Sequence, residues 1–262
     1  MVCTLLSAGG NSAVYICVSR HLTYFVSDVH LGLRVQDPAR REARFVEFLK
    51  GIPAAETEAL YLLGDIWDFW YEYKDVVPKG YVRVFAALLE LMDAGVKVYF
   101  FPGNHDIWAY SYFRELGMTV LEQPYVTVIG GRRFCLGHGD GLGPGDYGYK
   151  LMKWAFHNRF LQRCFSALHP RIAFSLGNGW SRKSRLAKNV SYFFRGKDEP
   201  LYKWCAKFKG GADFFIFGHY HARVDMPVEP SGRLLVMEDW ITSPNWLVYD
   251  ALANSLQVEP SK

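Results

Sequence analysis

Five short apolar runs, TYFVS, ALYLL, VKVYFF, RRFCL and DFFIF, are each followed at once by a polar turn: DVH, GDIWD, PGNHD, GHGD and GHYH. Runs of this length, rich in β-branched and aromatic residues and bounded by turn formers, read as buried strands; RLLVM and NWLVY further on read the same way. Between the early runs, Arg40 to Leu49 and Val82 to Met92 carry apolar residues at helical spacing, with Gly51 and Gly95 placed as C-terminal stops. Strands alternating with helices predict an α/β fold, a mixed sheet covered by helices. Ligands bind such sheets outside the carboxyl ends of the strands, where successive loops converge. The five polar turns are therefore expected to meet in one crevice.

Composition excludes several alternatives. With 50% hydrophobic and 16% aromatic residues the chain has ample material for a core, so global disorder is ruled out. The five cysteines are odd in number and far apart, without the short spacings of zinc sites or disulfide frameworks, and read as reduced thiols of a cytoplasmic protein. No run approaches the roughly 18 consecutive apolar residues of a membrane span. Residues 1–22 lack the basic start and continuous apolar centre of a secretory signal, and read as an N-terminal extension before a domain over 23–262.

Charge is unevenly spread. The net charge is +4, yet Leu142 to Lys209 holds 14 lysines and arginines against 3 acids, so the rest of the chain is net negative. Such asymmetry marks a surface that attracts phosphates, nucleic acid or anionic lipid. The same segment is helix-like, with YGYKLMKWAFHNRFLQRCFSALH crowded with apolar and basic residues. It reads as a helical lid, about 142–209, inserted between two strands. A helical pair that merely covers sheet hydrophobics is the plainer alternative.

The turns supply Asp28, His30, Asp65, Asn104, His138, His219 and His221: two carboxylates, one amide and four imidazoles. This mixture suits divalent transition ions such as Mn²⁺, Fe²⁺ or Zn²⁺, whereas all-oxygen sites suit Ca²⁺ or Mg²⁺. Seven ligands exceed one ordinary site; a bridging carboxylate lets two ions share them. His157 and His169 fit no motif and are expected to be structural.

The ordered set D-x-H, GD-x-x-D, GN-H-D, GHGD and GH-x-H resembles the calcineurin-like metallophosphoesterase superfamily over most of residues 24–250. The resemblance implies a four-layer αββα sandwich. It also implies one ion held by Asp28, His30, Asp65 and His221, and a second held by Asp65, Asn104, His138 and His219, with Asp65 as the bridge. Two such ions lower the pKa of a water and neutralise charge on the phosphoryl oxygens. His105 is then implied to lie over the metals, paired with Asp68, as charge stabiliser or proton donor.

Within the superfamily, FVSDVHLG, GDIWDFW and the helical insertion after GHGD resemble the UDP-2,3-diacylglucosamine hydrolase group of lipid A biosynthesis. That group implies hydrolysis of a nucleotide-linked glycolipid to UMP and lipid X, with manganese as the favoured ion, at the cytoplasmic face of the inner membrane. Asp146, Tyr149, Lys150, Arg159 and Arg163 are the implied substrate contacts, and Leu151, Trp154, Phe156, Phe160 and Phe165 an acyl groove. The group carries arginine in GNRD where this chain has His105. Two other readings stand beside this one: a phosphodiesterase or nuclease of the same fold whose basic segment tracks nucleic acid, and a non-catalytic scaffold. No obligate protein partner is inferred.

Overall fold

The computed structural model describes residues 2–6, 14–187 and 193–260. The chain opens with an antiparallel pair, β1 (Val2–Leu6) and β2 (Val14–Val18). Four strands then run parallel side by side: β3 (Leu22–Val26), β4 (Thr57–Leu62), β5 (Lys97–Phe100) and β6 (Thr119–Val120). They are joined by α1 (Pro38–Gly51), α2 (Val82–Asp93) and α3 (Tyr112–Glu115). The second sheet follows, with β7 (Tyr125–Ile129), β8 (Arg132–Leu136), β9 (Phe214–Phe217), β10 (Val224–Pro227) and β11 (Arg233–Val236) in the order β10-β11-β9-β8-β7. Finally β12 (Asn245–Asp250) and β13 (Ser255–Pro260) return to the first sheet, which reads β13-β12-β3-β4-β5-β6.

Strand alternation explains the layering. Along β4 and just past it, Leu60 and Leu62 point to one face while Ala59, Tyr61 and Leu63 point to the other. The first face packs on Phe45, Phe48 and Leu49 of α1 and Val84, Leu88 and Leu91 of α2. The second packs on Phe134, Leu136, Ile216 and Leu235 from the facing sheet. On that sheet the intervening residues Cys135, Phe215, Phe217 and Leu234 turn outward to a further layer. A period of two with both faces apolar requires cover on each side, and the result is the expected αββα sandwich.

The expected strands and both early helices are present. Asp37 caps α1 by accepting the amide of Arg40 at 3.0 Å, and Pro38 takes the first helical position. Gly95 ends α2 at φ +89°, with Gly95 N–H donating to Met92 O and Val96 N–H to Leu91 O. Gly51 instead stays inside α1 as its last residue, with Ile52 as the cap.

Between β8 and β9 lie α4 (Tyr147–His157), α5 (Arg159–Ser166), α6 (Pro170–Ala187) and α7 (Pro200–Ala206). The insertion divides by partner. In α7, Leu201, Tyr202 and Cys205 are buried against Phe215 and Phe217, so this helix is the outer layer of the second sheet. The α4 and α5 region sits elsewhere, where Phe156 and Phe165 pack on Phe69, Tyr71 and Trp108. The aromatic-rich segment after β4 thus does two jobs: Trp67 and Trp70 fill the core under α2, while Phe69 and Tyr71 carry the insertion. Among the described residues, no helix is long and apolar enough to cross a membrane.

Candidate metal centre

The chain leaves each central strand into a loop that bonds to its neighbour's loop. Asp28 N–H donates to Gly64 O at 3.1 Å, His30 N–H to Asp65 O at 3.0 Å, Gly218 N–H to His138 O at 2.9 Å and Trp240 N–H to Asp28 O at 3.0 Å. These loops form a rigid rim. Asp28, His30, Asp65, His219 and His221 all adopt left-handed backbone conformations, with φ between 50° and 68°. Non-glycine residues seldom occupy this region, and such strain gathers where side chains must be aimed at a ligand. Close approach also demands glycine: a Cβ on Gly103 would meet the Asp65 carboxylate and amide, and one on Gly218 would meet Ser27 and the Asp28 carboxylate.

All seven candidate ligands come together. One ligand atom each from Asp28, His30, Asp65 and His221 lies within 4.8 Å of the other three. Here Asp28 Oδ1 is 3.6 Å from His30 Nε2 and 3.2 Å from His221 Nε2, and Asp65 Oδ2 is 3.9 Å from His30 Nε2. The remaining three gather beside them: His138 Nε2 is 3.5 Å from Asp65 Oδ2 and 3.2 Å from Asn104 Oδ1, which is 2.8 Å from His219 Nδ1. Asp65 Oδ2 therefore faces both groups, while its Oδ1 accepts the His105 amide at 2.9 Å. Asp28, His30, Asp65 and His138 form the buried floor, and Asn104, His219 and His221 are partly exposed.

Supporting bonds aim the ligand atoms. His138 Nδ1 bonds Leu63 O at 2.9 Å, turning Nε2 inward, and His221 Nδ1 bonds Asp239 Oδ2 at 2.8 Å to the same effect. Asp28 Oδ2 accepts Ser27 Oγ at 2.6 Å and the His219 amide at 2.9 Å, which leaves Oδ1 facing the histidines. Asp106 accepts the amides of Asp65, Ile66, Trp67 and Gly103 and so pins the Asp65 loop to the Asn104 loop.

The electrostatics favour a cation. Burial opposes charge on Asp28, yet the neighbouring imidazoles of His221 and His30 hold its carboxyl well below the usual range. Burial likewise opposes charge on Asp65, and the histidines around it, His138 first, hold it low. His138 resists a proton by burial, but Asp65 pushes it up to about 10. Asp106 is raised to about 7 by burial and by the Asp65 charge. Among the described residues, buried Asp28 Oδ1 and His30 Nε2 have no hydrogen-bond partner. Uncompensated buried polar atoms are costly, and converging nitrogen and oxygen donors of this kind fit divalent cations.

His105 lies beside Asp68. Its Nδ1 bonds the Asp68 main-chain oxygen at 2.8 Å, with the Asp68 carboxylate 3.7 Å away and equally close, at 3.6 Å, to His30 Nδ1. Among the implied substrate contacts, Tyr149 reaches the rim, its ring 5.9 Å from that of His219. Lys150 bonds Gly143 O at 2.6 Å, and Asp146 is exposed at the start of α4 with φ 50°. Arg159 and Arg163 are exposed on α5. The implied acyl-groove residues split: Phe156 and Phe165 pack inward, whereas Leu151, Trp154 and Phe160 face solvent. Asp106 and Asp239 went unread in the sequence. Asp106 closes the GNHD turn, and Asp239 follows β11 as the other acids follow their strands.

The family model of the calcineurin-like phosphoesterases matches residues 22–223, a span that includes all seven candidate ligands. The chain belongs to this family. Among similar proteins, the UDP-2,3-diacylglucosamine hydrolase of Porphyromonas gingivalis is 35% identical over 253 residues, covering 88% of this chain and 95% of that one. The enzyme of the same name from Escherichia coli is 39% identical over 204 residues, covering 76% and 81%. That from Edwardsiella ictaluri is 34% identical over 204 residues, covering 76% and 75%. As a calcineurin-like phosphoesterase the chain is a metal-dependent hydrolase of phosphoester or pyrophosphate bonds.

Proposed function

We propose that this phosphoesterase hydrolyses the pyrophosphate of UDP-2,3-diacylglucosamine, releasing UMP and lipid X. The observation that carries the reading is one arrangement: a seven-ligand cluster whose partly exposed rim adjoins a helical lid with an unburied apolar face. On α4, Tyr147, Leu151 and Trp154 recur at helical spacing and are 79%, 65% and 62% exposed; Phe160 follows on α5 at 71%. Lys150, Arg159 and Arg163 lie on the same two helices. Apolar surface edged by cations suits a substrate with two acyl chains and a diphosphate, and equally the anionic bilayer surface from which it is drawn. The names of the similar proteins above point the same way.

Asp28, His30, Asp65 and His221 would hold one divalent cation, and Asp65, Asn104, His138 and His219 the other, with manganese the favoured ion for this mixed donor set. When bound, the pair acidifies a water and neutralises phosphoryl charge. Asp65 orders the site, because one oxygen is fixed by the His105 amide and the other faces both ligand groups. His105 is anchored through Nδ1, so it presents Nε2 to the cleft, 3.9 Å from Asp65 Oδ2. A leaving phosphate monoester is already a stable anion, with a second pKa of about 6, so His105 serves charge stabilisation more than obligatory proton donation.

The test is UMP release from the diacylated nucleotide by protein loaded with Mn²⁺, with single-stranded DNA as the competing substrate. UMP release without DNA cleavage is expected. Cleavage of DNA without UMP release would replace this reading with the nuclease one. Sedimentation with vesicles containing anionic phospholipid tests the peripheral membrane association, which should weaken as salt rises.

A further inference from the structure

Asp140 ends the GHGD motif, is almost fully buried, and takes no part in the ligand cluster. Two other segments converge on it. Gln123, in the loop after β6 at the edge of the first sheet, donates from Nε2 to Asp140 Oδ1 at 2.6 Å and accepts the Gly139 amide at Oε1, also at 2.6 Å. From α4, Tyr149 donates its hydroxyl and Lys153 its ammonium to Asp140 Oδ2, each at 2.6 Å. Tyr149 and Lys153 are four residues apart, so one face of the helix meets a single carboxylate oxygen.

That face matters because burial does little to hold α4. None of its residues is buried, and Asp146 offers no side-chain cap at its start. Among the described residues its other ties include Lys150 Nζ to Gly143 O and, at the far end, Phe156 packed on Trp108, with Phe156 O accepting Trp108 Nε1 at 3.1 Å and Gln162 Nε2 at 2.7 Å. The Asp140 contacts fix the near half, where the Tyr149 ring lies against His219.

We propose that Asp140 is a positioning residue that docks α4 against the cation cluster and thereby sets how a lipid-bearing substrate is received; the second half of this rests on the diacylated substrate proposed above. A charge-assisted bond from a lysine to a buried carboxylate is stronger than a neutral one, and losing the anion leaves two donors without their shared acceptor. In Asp140→Asn the new NH₂ must face either the Gln123 amide donor or the Tyr149 and Lys153 donors, and either contact is repulsive.

The experiment compares wild type, Asp140→Asn, Asp140→Glu and the double variant Tyr149→Phe/Lys153→Met as full-length, manganese-loaded protein. The double variant removes the same contact from the partly exposed side, so it stands in should Asp140→Asn fail to fold. Three quantities are read: bound metal, hydrogen exchange of residues 147–157, and kcat and KM on the glycolipid and on bis(p-nitrophenyl) phosphate. With metal retained, exchange in α4 should speed up about tenfold or more, and the glycolipid-to-diester ratio of kcat/KM should fall about tenfold, mainly through KM. Asp140→Glu should recover part of that ratio. Unchanged α4 exchange overturns the proposal, as does an equal loss on both substrates accompanied by loss of metal. If wild type itself releases no UMP, the substrate reading fails, and the exchange data alone then decide whether Asp140 docks the helix.

Discussion

Asp65 stands between the two groups of candidate ligands. One oxygen takes the His105 amide and the other faces His30 and His138, so no neighbouring side chain can replace it. Asp65→Ala should abolish hydrolysis and lower bound metal at both positions, checked by elemental analysis beside activity. His105→Ala should instead keep its metal and lose about 10²- to 10³-fold in kcat, the range for one charge-stabilising donor. Loss of metal in that variant would make His105 a ligand. His138, pushed up to about 10 by Asp65, holds a proton at neutral pH that a cation must displace. Loading should therefore release acid, and affinity should climb with pH until that value is passed; titration of Mn²⁺ into weakly buffered protein from about pH 6 to 9 measures both.

At the scale of elements, the stretch after GHGD holds helices of two kinds that resemble each other in composition. Leu201 on α7 is fully buried in the outer layer of the second sheet, whereas Leu151 on α4 is 65% exposed. Leu201→Ala should cost about 2–5 kcal/mol of stability in urea unfolding, against less than about 0.5 kcal/mol for Leu151→Asp. The same Leu151→Asp change should weaken vesicle binding and raise KM for the glycolipid, because it puts charge on the apolar face. Equal destabilisation by the two changes would mean that α4 is a packed layer like α7.

For the whole molecule, the sandwich encloses carboxylates whose charge must be answered. Asp28 and Asp65 are buried and held ionised by surrounding histidines, so bound cations stabilise the fold as well as the reaction. Chelation should lower the thermal midpoint by several degrees and Mn²⁺ should restore it, read by scanning calorimetry with and without chelator. An unchanged midpoint would show that the rim hydrogen bonds alone carry the folded site.

The seven expected strands, the two early helices and the seven residues that gather at the crevice were legible in the sequence because each is a local pattern: a short apolar run closed by a polar turn, or an apolar stripe at helical spacing. Asp106 and Asp239 were not, since their work is to bond atoms of other loops, amides near Asp65 and the ring of His221. Nor could spacing say that Phe156 and Phe165 face inward while Trp154 and Phe160 face out. Their partners, Tyr71 and Trp108, arrive from elsewhere in the chain. Strands β1, β2, β6, β7, β10 and β13 also escaped; each is held by a neighbour on one side only. The sequence by itself determined which donor atoms exist and where along the chain each strand delivers them, because backbone periodicity is local. Tertiary structure decided which oxygen of Asp65 faces two ligand groups, which helix closes the sandwich and which stays open to solvent, because distant segments must first be packed together.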